Sequence, residues 1–334
     1  MPDSQFYHIA ADGILNQTDT VEEALSRTEK DGFFWLNYNQ PTKEDLSPLI
    51  GLLGLHPLAI EDCIDANQIP KMEDFPDNTF IIFNAFGYFN DTLFVEEIDL
   101  FIGRKFLVTV SGECKDDKCT LNEIDELVKR NPVNAAKGPE FLMHIILDHI
   151  VDEKFHAIEI LESKLNDAEE TVIADASEFN PAGLLQLRRD LLIYRKSLFH
   201  EREILVKICR RDCPYISDDA IFHYRDIYDH LARFFELTEA YHDIVTSLME
   251  LYMSMLNNKM TKTANETNFT MKRLTMITTI FMPLSLLAGI GGMSEWSMMT
   301  GPENWKISYP LFILGLAIIG ILNYYLLIKT DNKK

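Results

Sequence analysis

Asn268, Met271, Thr275, Thr278, Met282, Ser285 and Gly289 follow one another at steps of three, four, three, four, three and four. On a helix these residues share one face, while Leu274, Ile277, Ile280, Phe281, Leu284 and Leu287 occupy the others. A face of Asn, Thr, Ser and Gly has two uses in lipid. It packs helices closely through small residues and side-chain hydrogen bonds, or, repeated around an axis by several copies, it lines a water-filled path. A charge-free helix pair cannot enclose a pore, so the second use requires a homo-oligomer. Neutral oxygens from Asn268, Thr275, Thr278 and Ser285 would hydrogen-bond the waters of a hydrated divalent ion without stripping them, which suits magnesium because it dehydrates reluctantly. Rings of Met271 and Met282 would be apolar constrictions that gate by dewetting. No His or Cys lies on the stripe, so a dehydrating zinc site is not indicated there.

The stripe needs a helix that crosses a membrane, and the sequence supplies two apolar runs. Residues 274–293 and 309–328 are each twenty residues without a charge, enough to span about 30 Å of hydrocarbon as a helix. Lys262, Lys272 and Arg273 precede the first, Lys329, Lys333 and Lys334 follow the second, and only Lys306 lies between. Positive flanks stay inside, so both termini are expected to be cytoplasmic. The link SEWSMMTGPENWKIS, with Glu295 and Glu303, would face outward. The start, MPDSQFYHIAADG, lacks a basic region followed by an apolar run, and no cleavable signal peptide is expected.

The remainder is acidic. Of a formal net charge of −21, residues 1–270 carry 25 Lys and Arg against 49 Asp and Glu, or −24, and residues 271–334 carry 6 against 3, or +3. Such a body repels nucleic-acid phosphates and attracts cations. Cys63, Cys114, Cys119, Cys209 and Cys213 form no zinc or disulfide spacing and read as reduced thiols. Residues 1–135 read as an α/β domain: GFFWLNY as a strand, helices near 43–51 and 56–67, then NTFIIFNAFGYF and EEIDLFIGRKFLVTV as strand-like runs joined in a hairpin through Asn90 and Asp91. Residues 136–270 read as a helical stalk, and residues 271–334 as the membrane hairpin. Ser217 is a good N-cap for one helix of about 70 residues running to Gly289. Its Leu231, Phe234, Thr238, Tyr241, Val245, Leu248, Tyr252 and Met255 form the seam of a bundle, against either the preceding helices or another subunit.

Taken together, several segments resemble the CorA family of divalent-cation channels, over nearly the whole chain. LHPLAIEDCIDANQIPKMEDF is similar to the family's His-Pro-Leu, Glu-Asp and Gln-x-Pro-Lys segment. YRDIYDH and DIVTSLMELYMS match its stalk, TTIFMPLSLLAGI its first span, and Pro302, Glu303, Trp305, Tyr309 and Pro310 its outer loop. The resemblance implies an α+β membrane protein, a funnel-shaped homopentamer with long stalk helices and two membrane helices per subunit, the first lining the pore. It places Asn268, Met271, Leu274, Thr275, Met282 and Ser285 at pore positions. Three departures accompany it. The Gly-Met-Asn signature is here Gly292, Met293, Ser294 and Glu295, which with Glu303 form the expected outer mouth. MTKTANE inserts about one heptad, which lengthens the stalk without rotating its seam. Of the two aspartates at the family's regulatory intersubunit ion site, Asp243 matches one, while the other falls near Phe89, with Asp91 two residues on.

His223, Asp226 and His230 share a helical face and suit either a transition metal or packing, the latter being favoured by their place in the stalk segment. Cys209 and Cys213 read as a helix end. The acidic side of the long helix, from Asp219 to Glu250, is a solvated face or a divalent-cation sensor. No nucleophile–base pair or cofactor fingerprint emerges, and an enzyme is not expected. The leading function is passage of hydrated magnesium, with cobalt and nickel tolerated, across the cytoplasmic membrane, with lipid, divalent cations and further copies of the chain as partners and no resident cofactor. The alternatives are a ZntB-like, proton-coupled zinc transporter and a non-conducting membrane cation sensor.

Overall fold

The computed structural model describes residues 4–28, 31–65, 68–112, 120–175, 179–292, 301 and 303–331. They divide into two compact units, Met1–Tyr252 and Met253–Lys334.

The first unit is built on a seven-stranded sheet. Its strands are β1 (Gln5–Ile9), β2 (Leu15–Thr18), β3 (Phe33–Asn39), β4 (Met72–Asp74), β5 (Thr79–Phe89), β6 (Thr92–Ile102) and β7 (Phe106–Ser111). They lie in the order β2-β1-β3-β7-β6-β5-β4, antiparallel except for the parallel β3–β7 pair. The predicted hairpin is present: β5 and β6 pair from Thr79↔Ile102 to Phe89↔Thr92. Asn90 and Asp91 turn it with φ of 46° and 62°, the doubly left-handed backbone that Asn and Asp tolerate and that matches strand twist. The run EEIDLFIGRKFLVTV, by contrast, is two strands, because Gly103 to Lys105 reverse the chain between β6 and β7.

Both faces of the sheet are covered, which is why β3 and β7 are buried along nearly their whole length. On one face α1 (Val21–Thr28), α2 (Lys43–Leu46), α3 (Pro48–Leu53) and α4 (Pro57–Ile64) set Ala24, Leu46, Leu49, Leu53, Ala59 and Ile60 against Phe34, Leu36, Phe80, Ile82, Phe101 and Val108. The helix expected near 43–51 is broken at Ser47 before Pro48, whose missing N–H suits only a first turn. On the other face, Trp35 stacks on Tyr7 at 5.0 Å and donates to Thr109 Oγ1 at 3.0 Å. That face meets α7 (Pro139–Asp175), which follows a short 3-10 turn (Thr120–Glu123), α5 (Ile124–Arg130) and α6 (Pro132–Ala135). Gly13 has φ of 82°, and a Cβ there would lie 2.0 Å from the Pro132 carbonyl oxygen. Only glycine lets the β1–β2 turn pass under α6.

α7 and α8 (Pro181–Cys209) are fixed to the sheet edge by a buried ion pair. Lys154 and Glu201 are fully buried and bonded to each other. Glu201 Oε1 accepts from the Asn84 backbone N–H and from Ser197 Oγ, both at 3.0 Å. Lys154 Nζ sits 4.3 Å from the Phe83 ring centre, and Tyr194 donates to the Lys154 carbonyl at 3.0 Å. Burial lowers the Lys154 ammonium to about 8, against the pull of Glu201. The helix expected from Ser217 is α9 (Asp218–Gly291), 74 residues long. Within the first unit its seam is intramolecular: Leu231, Phe234, Thr238, Val245 and Leu248 are buried. Phe234 stacks on Phe155 at 5.7 Å, Glu239 pairs with Arg195 at 2.9 Å, and Tyr252 meets Phe179 at 5.5 Å. Cys209 and Cys213 lie at a helix end as expected: α8 stops at Cys209, and Arg211 takes a left-handed backbone.

Glu201→Ala leaves Lys154 buried without its partner and is expected to cost about 3–5 kcal/mol, whereas Lys154→Met with Glu201→Gln, which removes both charges and keeps an acceptor for the Asn84 N–H, is expected to fall much closer to the parent. Thermal unfolding of the three proteins decides it; equal losses in the single and double variants would contradict this role. Burial raises Tyr7 and Tyr38 to about 12 from 10.0. An unfolded tyrosine loses its proton first, so their contribution to stability is complete below pH 10 and is lost as pH rises toward 12. Denaturant midpoints of the parent should fall across that window, and less so in Tyr38→Phe.

Candidate functional site

The second unit contains the membrane-spanning part of α9 and α10 (Trp305–Asp331), both long and apolar enough to cross a membrane. They pack through small residues. A Cβ on Gly291 would lie 2.5 Å from the Phe312 ring, and one on Gly320 would lie 3.4 Å from Leu284. Along residues 271–291 of α9 the half-buried positions are Met276, Ile280, Leu284, Leu287 and Gly291, a four- and three-residue recurrence that marks the face against α10.

The polar stripe lies elsewhere on the same helix. Asn268, Met271, Thr275, Thr278, Met282, Ser285 and Gly289 are all exposed in the single chain. At about 100° per residue their mean direction is about 180° from that of the half-buried positions. Leu274, also exposed, lies at the stripe's edge, about 70° from its centre. The hairpin therefore turns its polar face away from its own second span. The hydroxyl protons here are partly committed. Thr278 donates to the Leu274 carbonyl at 2.8 Å, and its neighbour Thr279 donates to that of Thr275 at 2.7 Å. A Thr whose proton is given to the helix presents its oxygen as an acceptor. The waters around a cation point their hydrogens outward, so acceptors are what a path for a hydrated ion needs.

Of the expected outer mouth, Gly292 closes α9, its N–H reaching the carbonyls of Ala288 at 3.0 Å and Gly289 at 3.3 Å. Glu303 is exposed just before α10. Met293, Ser294 and Glu295 lie outside the described residues. Asp91 is at the tip of the β5–β6 hairpin, its carboxylate 3.5 Å from Lys164 Nζ, which also donates to the Asp91 carbonyl at 2.7 Å. Asp243 stands on α9 with its side chain 88% exposed, 3.8 Å from His242. Among the described residues no group of three or more His, Cys, Asp and Glu is placed to hold a metal ion. His223 packs against His144 at 4.9 Å and Phe141 at 5.7 Å. Burial first, and then His223, lowers the His144 imidazole to about 4. Of the His223, Asp226 and His230 face, His223 is thus packed, while Asp226 and His230 are exposed and 3.8 Å apart. Sequence reading missed the buried charged groups of the body, among them the Lys154–Glu201 pair and Asp99, which is buried on β6. Their one signal was a lone charge within an otherwise apolar period.

Residues 30–329 match the sequence model of the family described as CorA-like Mg2+ transporter protein. The cobalt/magnesium transport protein CorA of Thermotoga maritima is 29% identical over 323 residues, covering 95% of this chain and 88% of that protein. The CorA of Methanocaldococcus jannaschii is 26% identical over 316 residues, covering 93% and 95%. The complete structure of the latter superposes with a TM-score of 0.70 at 22% identity, covering 97% of this chain and 96% of that one. A zinc transport protein, ZntB of Yersinia enterocolitica, matches at 20% identity, covering 94% and 92%. With an α/β body, one continuous long helix and two apolar C-terminal helices, and with the family match covering all but its ends, this chain belongs to the CorA-like Mg2+ transporter proteins.

Proposed function

We propose that the chain is a divalent-cation transporter of the cytoplasmic membrane. Several copies, five by family resemblance, bring their α9 stripes together around a path for hydrated magnesium, with cobalt and nickel tolerated. The observation that carries this reading is the opposition of the stripe to the face that packs on α10. A polar face turned away from its own hairpin must meet lipid or other copies, and lipid offers the hydroxyls of Thr275, Thr278 and Ser285 no partners.

Within that path Asn268, Thr275, Thr278 and Ser285 accept hydrogen bonds from the ion's waters, and Met271, Leu274 and Met282 form the narrow apolar rings. Gly289 leaves room near the outer end, and Gly292, Met293, Ser294, Glu295 and Glu303 form the mouth. Ser294 offers a weaker dipole than an amide, and a ring of Glu295 carboxylates offsets this by concentrating cations. Lys272, Arg273 and Lys329 hold both termini on the cytoplasmic side. The membrane potential, worth about 2.3 kcal/mol per charge per 100 mV, draws the ion inward. No chemical step is needed, and the stripe and mouth perform no catalysis. Asp91 and Asp243 belong to a regulatory cation site completed by a neighbouring subunit.

Proteoliposomes holding the full chain, loaded with a magnesium-sensitive dye, test the function. Magnesium influx indifferent to an imposed pH gradient supports it; zinc influx that follows the proton gradient with no magnesium influx contradicts it. Asn268→Leu replaces a ring of acceptors by hydrocarbon. Flux should fall by about tenfold or more, since each ~1.4 kcal/mol of barrier is about tenfold in rate. Unaltered flux in that variant removes Asn268 from the path.

A further inference from the structure

A cleft of about 760 Å3 opens on the face of the sheet that α1–α4 cover. Its floor is the β5–β6 ribbon, where Asn84 and Asp99 lie on adjacent strands, and its walls come from α4, from Gln68, Ile69 and Pro70, and from α8. Asp99 lines this cleft and is only 2% exposed. Its hydrogen bond with the Cys63 thiol leaves Oδ1 without a partner.

The charges around it do not relieve that oxygen. Glu97 and Asp62 add negative potential, and Lys71, whose charge opposes theirs, is already paired with Asp62 at 2.7 Å and Glu73 at 2.9 Å. Lys196 on the cleft wall makes no hydrogen bond to Oδ1. Burial first, and then Glu97, pushes the Asp99 carboxyl well above the ordinary carboxylate range. A buried acceptor with no donor costs free energy, and a cation entering the cleft would supply the donor. A bare metal ion is poorly served here, because no third His, Cys, Asp or Glu converges on the pair among the described residues. Ile64, Ile69 and Ile193 give the cleft apolar wall, and its volume is that of a small-molecule site, not of an ion.

We propose that this cleft binds a small organic cation, a primary ammonium on an apolar carbon frame, with its nitrogen on Asp99 Oδ1 and its carbon surface against Ile64, Ile69 and Ile193. The ammonium gives Asp99 the missing donor and restores its ionised form. Cyclohexylamine and its neutral isostere cyclohexanol probe this on the full chain in detergent, by saturation-transfer NMR and by the thermal midpoint. Cyclohexylamine should bind saturably and raise the midpoint, with cyclohexanol about tenfold weaker or more. Asp99→Asn should weaken the amine by about tenfold or more. Ile193→Trp, at an exposed wall position, should block it while leaving the ligand-free midpoint in place. Equal amine binding by the parent and both variants would show attraction to the general acidic surface and overturn the site. A midpoint shift that depends on Asp99 but is produced by magnesium or cobalt and not by the amine would overturn the ligand class.

Discussion

A helix in hydrocarbon satisfies its own backbone, so its relations with everything else are settled by which side chains occupy its circumference. On α9 that circumference is divided. Met276, Ile280, Leu284, Leu287 and Gly291 serve α10, and the face centred about 180° away holds Asn268, Thr275, Thr278 and Ser285. Among the described residues, the polar atoms on the second face show no hydrogen-bond partner beyond the helix itself. Self-association keeps them from lipid, and in the proposed function the associated faces enclose the path for water and hydrated ions.

The soluble body solves a different problem, that of holding long helices in register on a sheet. α7 is an apolar-faced helix of 37 residues, yet its attachment to α8 and the β5 edge includes a charged pair, Lys154 with Glu201, closed on both sides by Asn84, Ser197 and aromatic rings. Net stabilisation by such a pair is small, but breaking it is costly. An apolar seam tolerates sliding by a turn, whereas a pair bonded to the Asn84 backbone does not. Arg195 with Glu239 extends the polar registration to α9 at 2.9 Å.

Periodicity made the helices and spans legible. The stripe could be read because Asn and Thr recur every three or four residues among Leu and Ile, and α7, α8 and α9 because few glycines or prolines interrupt them. The β5–β6 hairpin was readable from Asn90 and Asp91, whose side chains suit left-handed turns. What escaped was non-local. β1 and β2 are short and partly exposed, and pairing makes them strands, β1 against β3 and β2 against β1. Whether Leu231 to Leu248 face their own chain or another depends on where α7 and α8 lie. Asp99 lies within the strand-like run EEIDLFI, and only the packed structure shows it buried beside Cys63. The direction of the stripe relative to α10 also needed the packed hairpin, since spacing defines a face but not what it faces.

The central claim is that the Asn268–Gly289 face of α9 is wet, and thiol accessibility measures this most directly. In a full chain whose five native cysteines are replaced, single cysteines at Met271, Thr275, Thr278, Ser285, Met276, Ile280 and Leu284 are exposed in proteoliposomes to a small charged thiol reagent. Fast labelling at Thr275, Thr278 and Ser285, with Met276, Ile280 and Leu284 protected, is the predicted pattern. Uniform protection across all seven, or labelling that follows the α10-facing positions, would contradict it.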